Sequence, residues 1–232
     1  MRGAETPQAG MTDLVICGVG PFAQLMHFYF RSDSEYRVVG FTADEKYLEG
    51  NAFCGVPAVP FDTVALRFPP ECVRMFVAIG YRHMRDRRKL FERAKSLRYN
   101  LASYIAGGVV RYPDLRLGVN NVAMAGVIFE PFVQVGDNNV FWSGTLVCHE
   151  AKVGSHNYAA ARCVIGGGCV VRDGCFMGNG SVLIDHVELA DETHVAPASA
   201  VMRNTSEFRR YAGSPAREIG SHEEQGIVIE RG

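Results

Sequence analysis

From Leu117 to Val201 every sixth residue is apolar: Leu117, Ala123, Phe129, Val135, Phe141, Val147, Val153, Ala159, Ile165, Val171, Met177, Leu183, Leu189, Val195 and Val201. Neither a helix, with 3.6 residues per turn, nor an ordinary two-residue strand alternation produces that period. Four positions further on the chain mostly carries a small residue, as at Thr145, Ala151, Cys163, Cys169, Cys175, Ser181, Thr193 and Ser199. Glycine recurs one position on, at Gly118, Gly136, Gly154, Gly166 and Gly178. A coil with three flat sides needs these parts: one large inward residue per side, a small inward residue near each corner, and a permissive backbone at the turn. The second half of the chain therefore reads as a parallel β-helix of hexapeptide repeats, in which fifteen hexads at three per coil make about five stacked coils.

The stretch before the repeats is long enough for a second packed unit in a 232-residue chain that is 47% hydrophobic. The expected division is an α/β domain over residues 12–108, the β-helix over 109–218, and a tail over 219–232, whose polar start followed by Ile227-Val228-Ile229 also allows an edge strand. A net charge of −1 gives no field for a polyanion, and no run of eighteen apolar residues is present to span a bilayer, so neither nucleic acid nor membrane is an expected partner. The seven cysteines are odd in number and form no CxxC pair. Cys163, Cys169 and Cys175 fall in small inward slots, which argues against a metal ladder and for reduced core thiols in the cytoplasm. The polar stretch from Met1 to Gly10, followed by Met11, reads as a loose tail or a misassigned start.

The first unit alternates short apolar runs with helical stretches. Leu14-Val15-Ile16-Cys17 leads into Gly18-Val19-Gly20-Pro21-Phe22-Ala23 and a helix through Phe30. Further strand-like runs cover 37–41, 75–79 and 101–105, and a charged helix covers 82–98. Strands alternating with helices predict a parallel sheet. Gly18-x-Gly20-x-x-Ala23, with Asp44 about two dozen residues on, satisfies a dinucleotide fingerprint on paper. The block has room for one mononucleotide half only, so a nucleotide diphosphate carrying another group suits it better than NAD. The plainer alternative is a glycine turn that closes strand onto helix. Arg82, Arg85, Arg87, Arg88 and Lys89 read as the wet face of the second helix.

Within the coils, His149 and Glu150 stand at a corner between Val147 and Val153, and an imidazole there projects outward. Histidine titrates near neutrality and can take a proton from an attacking hydroxyl or amine. One coil of eighteen residues further on is Gly167, whose missing side chain leaves room, and an N–H for an oxyanion, beside that base. Cys148 is adjacent but points the opposite way and reads as a packed thiol.

A small α/β domain, an unbroken hexapeptide solenoid containing His149-Glu150 followed by Val153-Gly154, and a closing Gly213-Ser214-Pro215-Ala216-Arg217 together resemble the nucleotide-sugar acyltransferases related to sialic acid O-acetyltransferases. Phe76-Val77-Ala78-Ile79-Gly80 with Arg85, and Gly40-Phe41 leading to Asp44, add to the resemblance, which covers about residues 13–218. It implies a left-handed β-helix homotrimer, with a nucleotide-linked sugar on the N-terminal domain and acetyl-CoA, or another short acyl-CoA, between coils. It also implies direct transfer with His149 as general base, Glu150 supporting it, Gly167 holding the thioester carbonyl, and no metal. By the same resemblance Gly213, Pro215 and Arg217 border the donor, while Gly18, Gly20, Asp44, Gly80 and Arg85 border the acceptor. Trp142 stands where the family commonly has asparagine, Tyr158 where it has a second histidine, Pro21-Phe22 in place of Gly-His, and Ala43 in place of an acid. These departures put the identity of the acceptor in question; Trp142 and Tyr158 are expected among the substrate-binding residues, Trp142 in the acceptor pocket or at a subunit contact. Two other classes stay open: a non-catalytic sugar-nucleotide-binding scaffold, in which His149 is dispensable, and an NAD-linked sugar-modifying enzyme.

Overall fold

A computed structural model describes residues 11–229; the first ten residues and the last three, within the expected tails, lie outside them. The N-terminal unit runs β1 (Thr12–Cys17), α1 (Pro21–Ser32), β2 (Tyr36–Ala43), β3 (Ala52–Phe53), β4 (Val56–Pro60), α2 (Val64–Arg67), β5 (Arg74–Val77) and α3 (Met84–Ser96). The sheet order is β3-β4-β2-β1-β5, parallel except for the edge strand β3. Leu14, Val15, Ile16 and Cys17 are wholly buried because elements cover both faces of this sheet. Helix α1 starts at Pro21, where a preset φ and a missing N–H cost nothing, and buries Ala23, Met26, His27 and Phe30 at helical spacing. At Gly18, φ is +129° and an added Cβ would lie 2.7 Å from the Ala78 carbonyl oxygen, so this glycine is needed where β1 meets the end of β5.

The repeats wind as a three-sided parallel β-helix of two-residue strands. Its sheets contain five, eight and five strands, the eight including a terminal hairpin. Each hexad residue is the second residue of its strand and faces the interior, and all are buried except Leu117, half-buried at the open end. Residues one coil apart lie opposite one another, as Val135 does to Val153 and Val153 to Val171. Corner amides that the ladder leaves free are met by polar side chains of an adjacent coil, here the preceding one. Asn121 Oδ1 accepts from Asn139 N, Asn139 Oδ1 from Asn157 N, and Asn157 Oδ1 from Cys175 N.

The three faces differ outside. One carries Arg116, Gln134, Lys152, Val170 and Glu188 and meets solvent. A second carries Ile128, Leu146, Val164, Val182 and Ala200, all half-buried. The third carries Tyr104, Val122, Val140, Tyr158 and Phe176, which pack into one cluster with Leu14, Ile16, Phe30 and Phe76 of the α/β unit. The two units thus share a core.

Two expectations change. The run 101–105 is no fourth strand of the α/β sheet: Leu101 makes a single bridge to Met75, while Tyr104–Ile105 pairs with Val122–Ala123 as the first rung of the docking face. Tyr104 is drawn there by edge-on packing with Phe30 at 5.4 Å. The described part of the 219–232 segment is folded: Arg209–Gly213 and Ala216–Ser221 form an antiparallel hairpin over the last coil, and residues 222–229 return to the start of α3.

Candidate functional site

Where the docking face emerges from under the α/β unit, the two units and the C-terminal segment enclose two adjoining clefts of about 750 and 650 Å³. Tyr81, Trp142, Tyr158 and Ile229 line both. Gly20, Pro21, Phe22, Ile79 and Gly80 bring the β1–α1 turn and the end of β5 into the smaller one, and Asn179, His194, Arg210 and Gln225 give the larger one a polar end. The floor is aromatic: Tyr158 stacks on Phe176 at 5.5 Å and meets Tyr81 at 5.0 Å, and Phe22 tilts against Trp142 at 6.4 Å. Trp142 Nε1 donates to the Tyr158 hydroxyl, whose ionisation burial pushes up. Burial, helped by Arg210 and His222, pulls His194 down to about 4, so a neutral imidazole stands edge-on to Phe176.

Under this cleft α3 is fixed to the solenoid by a polar seam that the sequence reading missed. Arg87, expected on a wet face, is 2% exposed and donates to the carbonyls of Ile79, His156 and Asn138 at 3.0 to 3.1 Å. Burial pulls its guanidinium down to about 10, leaving it a cation at neutral pH. His156, also buried, accepts from Asn138 Nδ2 at 3.0 Å, and desolvation followed by Arg88 and Arg87 pulls it down to about 4. Asn120 continues the column, with its side chain bonded to the backbone N–H and carbonyl of Val77 at the end of β5.

His149 lies elsewhere, at the corner between the aliphatic face and the polar face. Its ring is 59% exposed, with Nδ1 3.5 Å from Glu150 Oε2, within ion-pair reach but long for a hydrogen bond. Its backbone N–H donates to Glu130 Oε2 at 2.8 Å. The ring rests on Gly167: a Cβ built there would lie 2.8 Å from Cε1 and 2.9 Å from Nε2. The stacking read from the eighteen-residue coil is present. The open N–H is not, because Gly167 N donates to Asp185 Oδ1 at 2.8 Å. One coil beyond, the His186 ring lies against Gly168, so imidazoles flank this glycine run on both sides. Cys148 is half-buried, and burial, Glu130 and Asp185 all push its thiol up, away from a nucleophilic thiolate.

Other expected residues have different employment. Asp44 is bound by Arg93 at 2.5 Å, which also bridges to Asp62, so its carboxylate faces α3. Arg85 is engaged by Glu192 and the carbonyls of Glu223 and Glu224. Gly20 and Gly80 line the smaller cleft, and nothing lies within 4 Å of where a Gly20 Cβ would be. Gly213, Pro215 and Arg217 are exposed on the terminal hairpin. Among the described residues, no cluster of three or more His, Cys, Asp or Glu side chains has the arrangement to hold a metal, and no helix is long and apolar enough to cross a membrane.

No protein-family model and no curated protein matches the sequence. Solved structures do. A histidine-to-alanine mutant of GDP-perosamine N-acetyltransferase from Caulobacter crescentus, in complex with CoA and GDP-perosamine, is 27% identical over 90% of this chain and 97% of its own, with a TM-score of 0.81. The chain has the architecture of that acetyltransferase. The acetyltransferase domain of PglB from Neisseria gonorrhoeae FA1090 (17% identity, 89% and 99% of the chains, TM-score 0.78) and WeeI from Acinetobacter baumannii AYE (16%, 90% and 100%, 0.69) share the fold. The likeness to these structures spans both the α/β sheet and the β-helix.

Proposed function

We propose that the chain is a cytoplasmic acyltransferase with a left-handed β-helix, moving an acetyl or other short acyl group from CoA to an amino or hydroxyl group of a nucleotide-linked sugar. The observation that carries this reading is the 27% identity across both units to a structure in complex with CoA and GDP-perosamine. The aromatic cleft that joins the β1–α1 turn to Trp142 and Tyr158 supports an acceptor site with the nucleotide at Gly20 and Gly80 and the sugar against the rings. The close seat of the His149 ring on Gly167 supports a role for that glycine in placing the base, since any side chain there would push the ring away.

In this mechanism His149 removes a proton from the attacking amine or hydroxyl, and the imidazolium that results faces the Glu150 carboxylate. The donor supplies an activated carbonyl: the new C–N or C–O bond forms as the C–S bond breaks, and the proton held by His149 is available to the departing thiolate. Gly167 acts by leaving room, its N–H being spoken for by Asp185.

Within one chain the base and the cleft stand at opposite edges of the aliphatic face formed by Ile128, Leu146, Val164 and Val182. Three copies packed through that face bring the His149 corner of one beside the Trp142 corner of the next, which supports a homotrimer with shared sites.

The test is a panel of UDP-, GDP- and dTDP-linked amino sugars with acetyl-CoA, read by product mass, alongside binding of acetyl-CoA and NAD. His149→Ala is expected to lose about 10²- to 10⁴-fold in kcat while still binding both substrates. Near-normal turnover in that variant removes the base assignment, and NAD binding without acetyl-CoA binding removes the transfer reading.

A further inference from the structure

We infer that residues 222–229 form a fitted outer wall of the aromatic cleft that selects the acceptor, and that Arg85 is the positioning residue that holds this wall. The inference rests on reading the cleft as the acceptor site. The segment crosses from the terminal hairpin to α3 and supplies Gln225, Val228 and Ile229 to the larger cleft, with Ile229 shared by both. Ile227 turns inward and is 2% exposed, joining the core that the two units share.

The attachment is specific at each end. Where the segment begins, buried His222 bonds through Nε2 to the Glu192 carbonyl at 2.6 Å. Where it ends, Met84 N donates to the Ile227 carbonyl at 3.1 Å and Ile229 N to the Arg82 carbonyl at 3.0 Å. Arg85 joins the middle to the solenoid. Its Nε lies 2.8 and 3.1 Å from the two Glu192 carboxylate oxygens, Nη1 donates to the Glu224 carbonyl at 2.9 Å and Nη2 to the Glu223 carbonyl at 2.8 Å. Only the flat guanidinium fork reaches one carboxylate and two carbonyls at once; a lysine ammonium does not reproduce that geometry. Gly226 closes over the arginine stem with φ at +70°, and a Cβ there would lie 2.7 Å from Arg85 Cδ and Nε. These contacts are too specific for a trailing end, and they set Val228 and Ile229 at the cleft.

Trp142, the single tryptophan of the chain, lines both clefts and reports on the wall without any substrate. The experiment compares acrylamide quenching of its emission in the wild type, Arg85→Gln, Gly226→Ala and a chain ending at Ser221, with thermal unfolding of each. Expected are faster quenching in all three, most in the shortened chain, with unfolding still cooperative. With the acceptor selected by the panel above, acceptor KM should rise about tenfold or more on loss of charge-assisted hydrogen bonds, while acetyl-CoA KM stays unchanged. Wild-type quenching in all three variants overturns the wall. Equal changes in both KM values, or losses that only follow the fraction folded, overturn the role in selection. Should the wild-type chain transfer no acyl group, quenching still decides whether the wall exists, and the failure belongs to the proposed reaction.

Discussion

Gly167→Ala isolates the proposed role of Gly167 in seating His149, because the substitution adds one methyl group and keeps the N–H that Asp185 accepts. The added Cβ would sit 2.8 Å from His149 Cε1, whereas ordinary contact begins at 3.4 Å, so the ring must retreat by 3.4 − 2.8, about 0.6 Å. It is free to do so: the side chain is 59% exposed, and φ at Gly167 lies outside the left-handed region that would strain an alanine. Gly167 itself is buried, but the group that must yield is an exposed side chain, so the stability cost is expected to stay at about 1 kcal/mol or less. Catalysis is far less tolerant, since a misplacement of about 1 Å costs on the order of 10²-fold. The expected fall in kcat is about 10- to 100-fold, equivalent to about 1.4 to 2.7 kcal/mol of barrier. Steady-state kinetics of Gly167→Ala, His149→Ala and the double variant form the assay. If the methyl acts by displacing the base, it costs little further once the imidazole is gone. Wild-type kcat in Gly167→Ala, or an equal loss on both backgrounds, refutes the argument.

Arg87→Met leaves the carbonyls of Ile79, Asn138 and His156 without their donor and is expected to cost about 3 to 5 kcal/mol, lowering the thermal midpoint by about 10 °C; a loss under about 1 kcal/mol would show that the seam is dispensable. His156 titrates near 4 in the fold against an ordinary 6.5, so the unfolded chain binds its proton more tightly and stability is lost as pH falls from about 6.5 towards 4, by up to about 3 kcal/mol. His194 adds a slope of the same sign, and urea unfolding at several pH values should show a shallower dependence in His156→Gln; an unchanged slope contradicts the buried neutral assignment. Leu146→Glu charges the aliphatic face and is expected to yield an inactive species of about 25 kDa by sizing in dilute solution, whereas full turnover from that species rules out a shared site.

The hexads made the solenoid legible because each inward residue meets the same environment, so the packing rule is written into the sequence fifteen times. The site was legible in part. That His149 stacks under Gly167 follows from the coil length alone, but the partner of the Gly167 N–H is Asp185, a further coil away, and nothing local marks it. Arg87 left a trace that composition hid. Met84, Arg87, Phe91 and Ala94 fall on one helical stripe: the charge at the second position suggests a water-facing residue, but its spacing places it on the buried side. The small hairpin β3–β4 and the return of residues 222–229 left less, because short segments that pack on a distant element carry no period of their own.

A second period lies beneath the first. The residue just before each inward hexad residue points out, and every third one shares a face, so outward positions repeat every eighteen residues. Read that way, Tyr104, Val122, Val140, Tyr158 and Phe176 are aromatic or aliphatic, as a face that receives another domain must be. Arg116, Gln134, Lys152 and Glu188 are polar, as befits a face left in water. Ile128, Leu146, Val164 and Val182 are as apolar as the docking face, although the chain's own α/β unit lies on the other one. An aliphatic ladder of that length is costly to leave in water. Within one coil, Trp142 follows Val140-Phe141 at the corner between the docking face and the aliphatic face, and His149 follows Leu146-Val147 at the aliphatic face's other corner. The sequence thus places the aromatic cleft and His149 on either side of a face whose composition calls for a partner, which is the physical reason behind the proposal that the site is completed between copies.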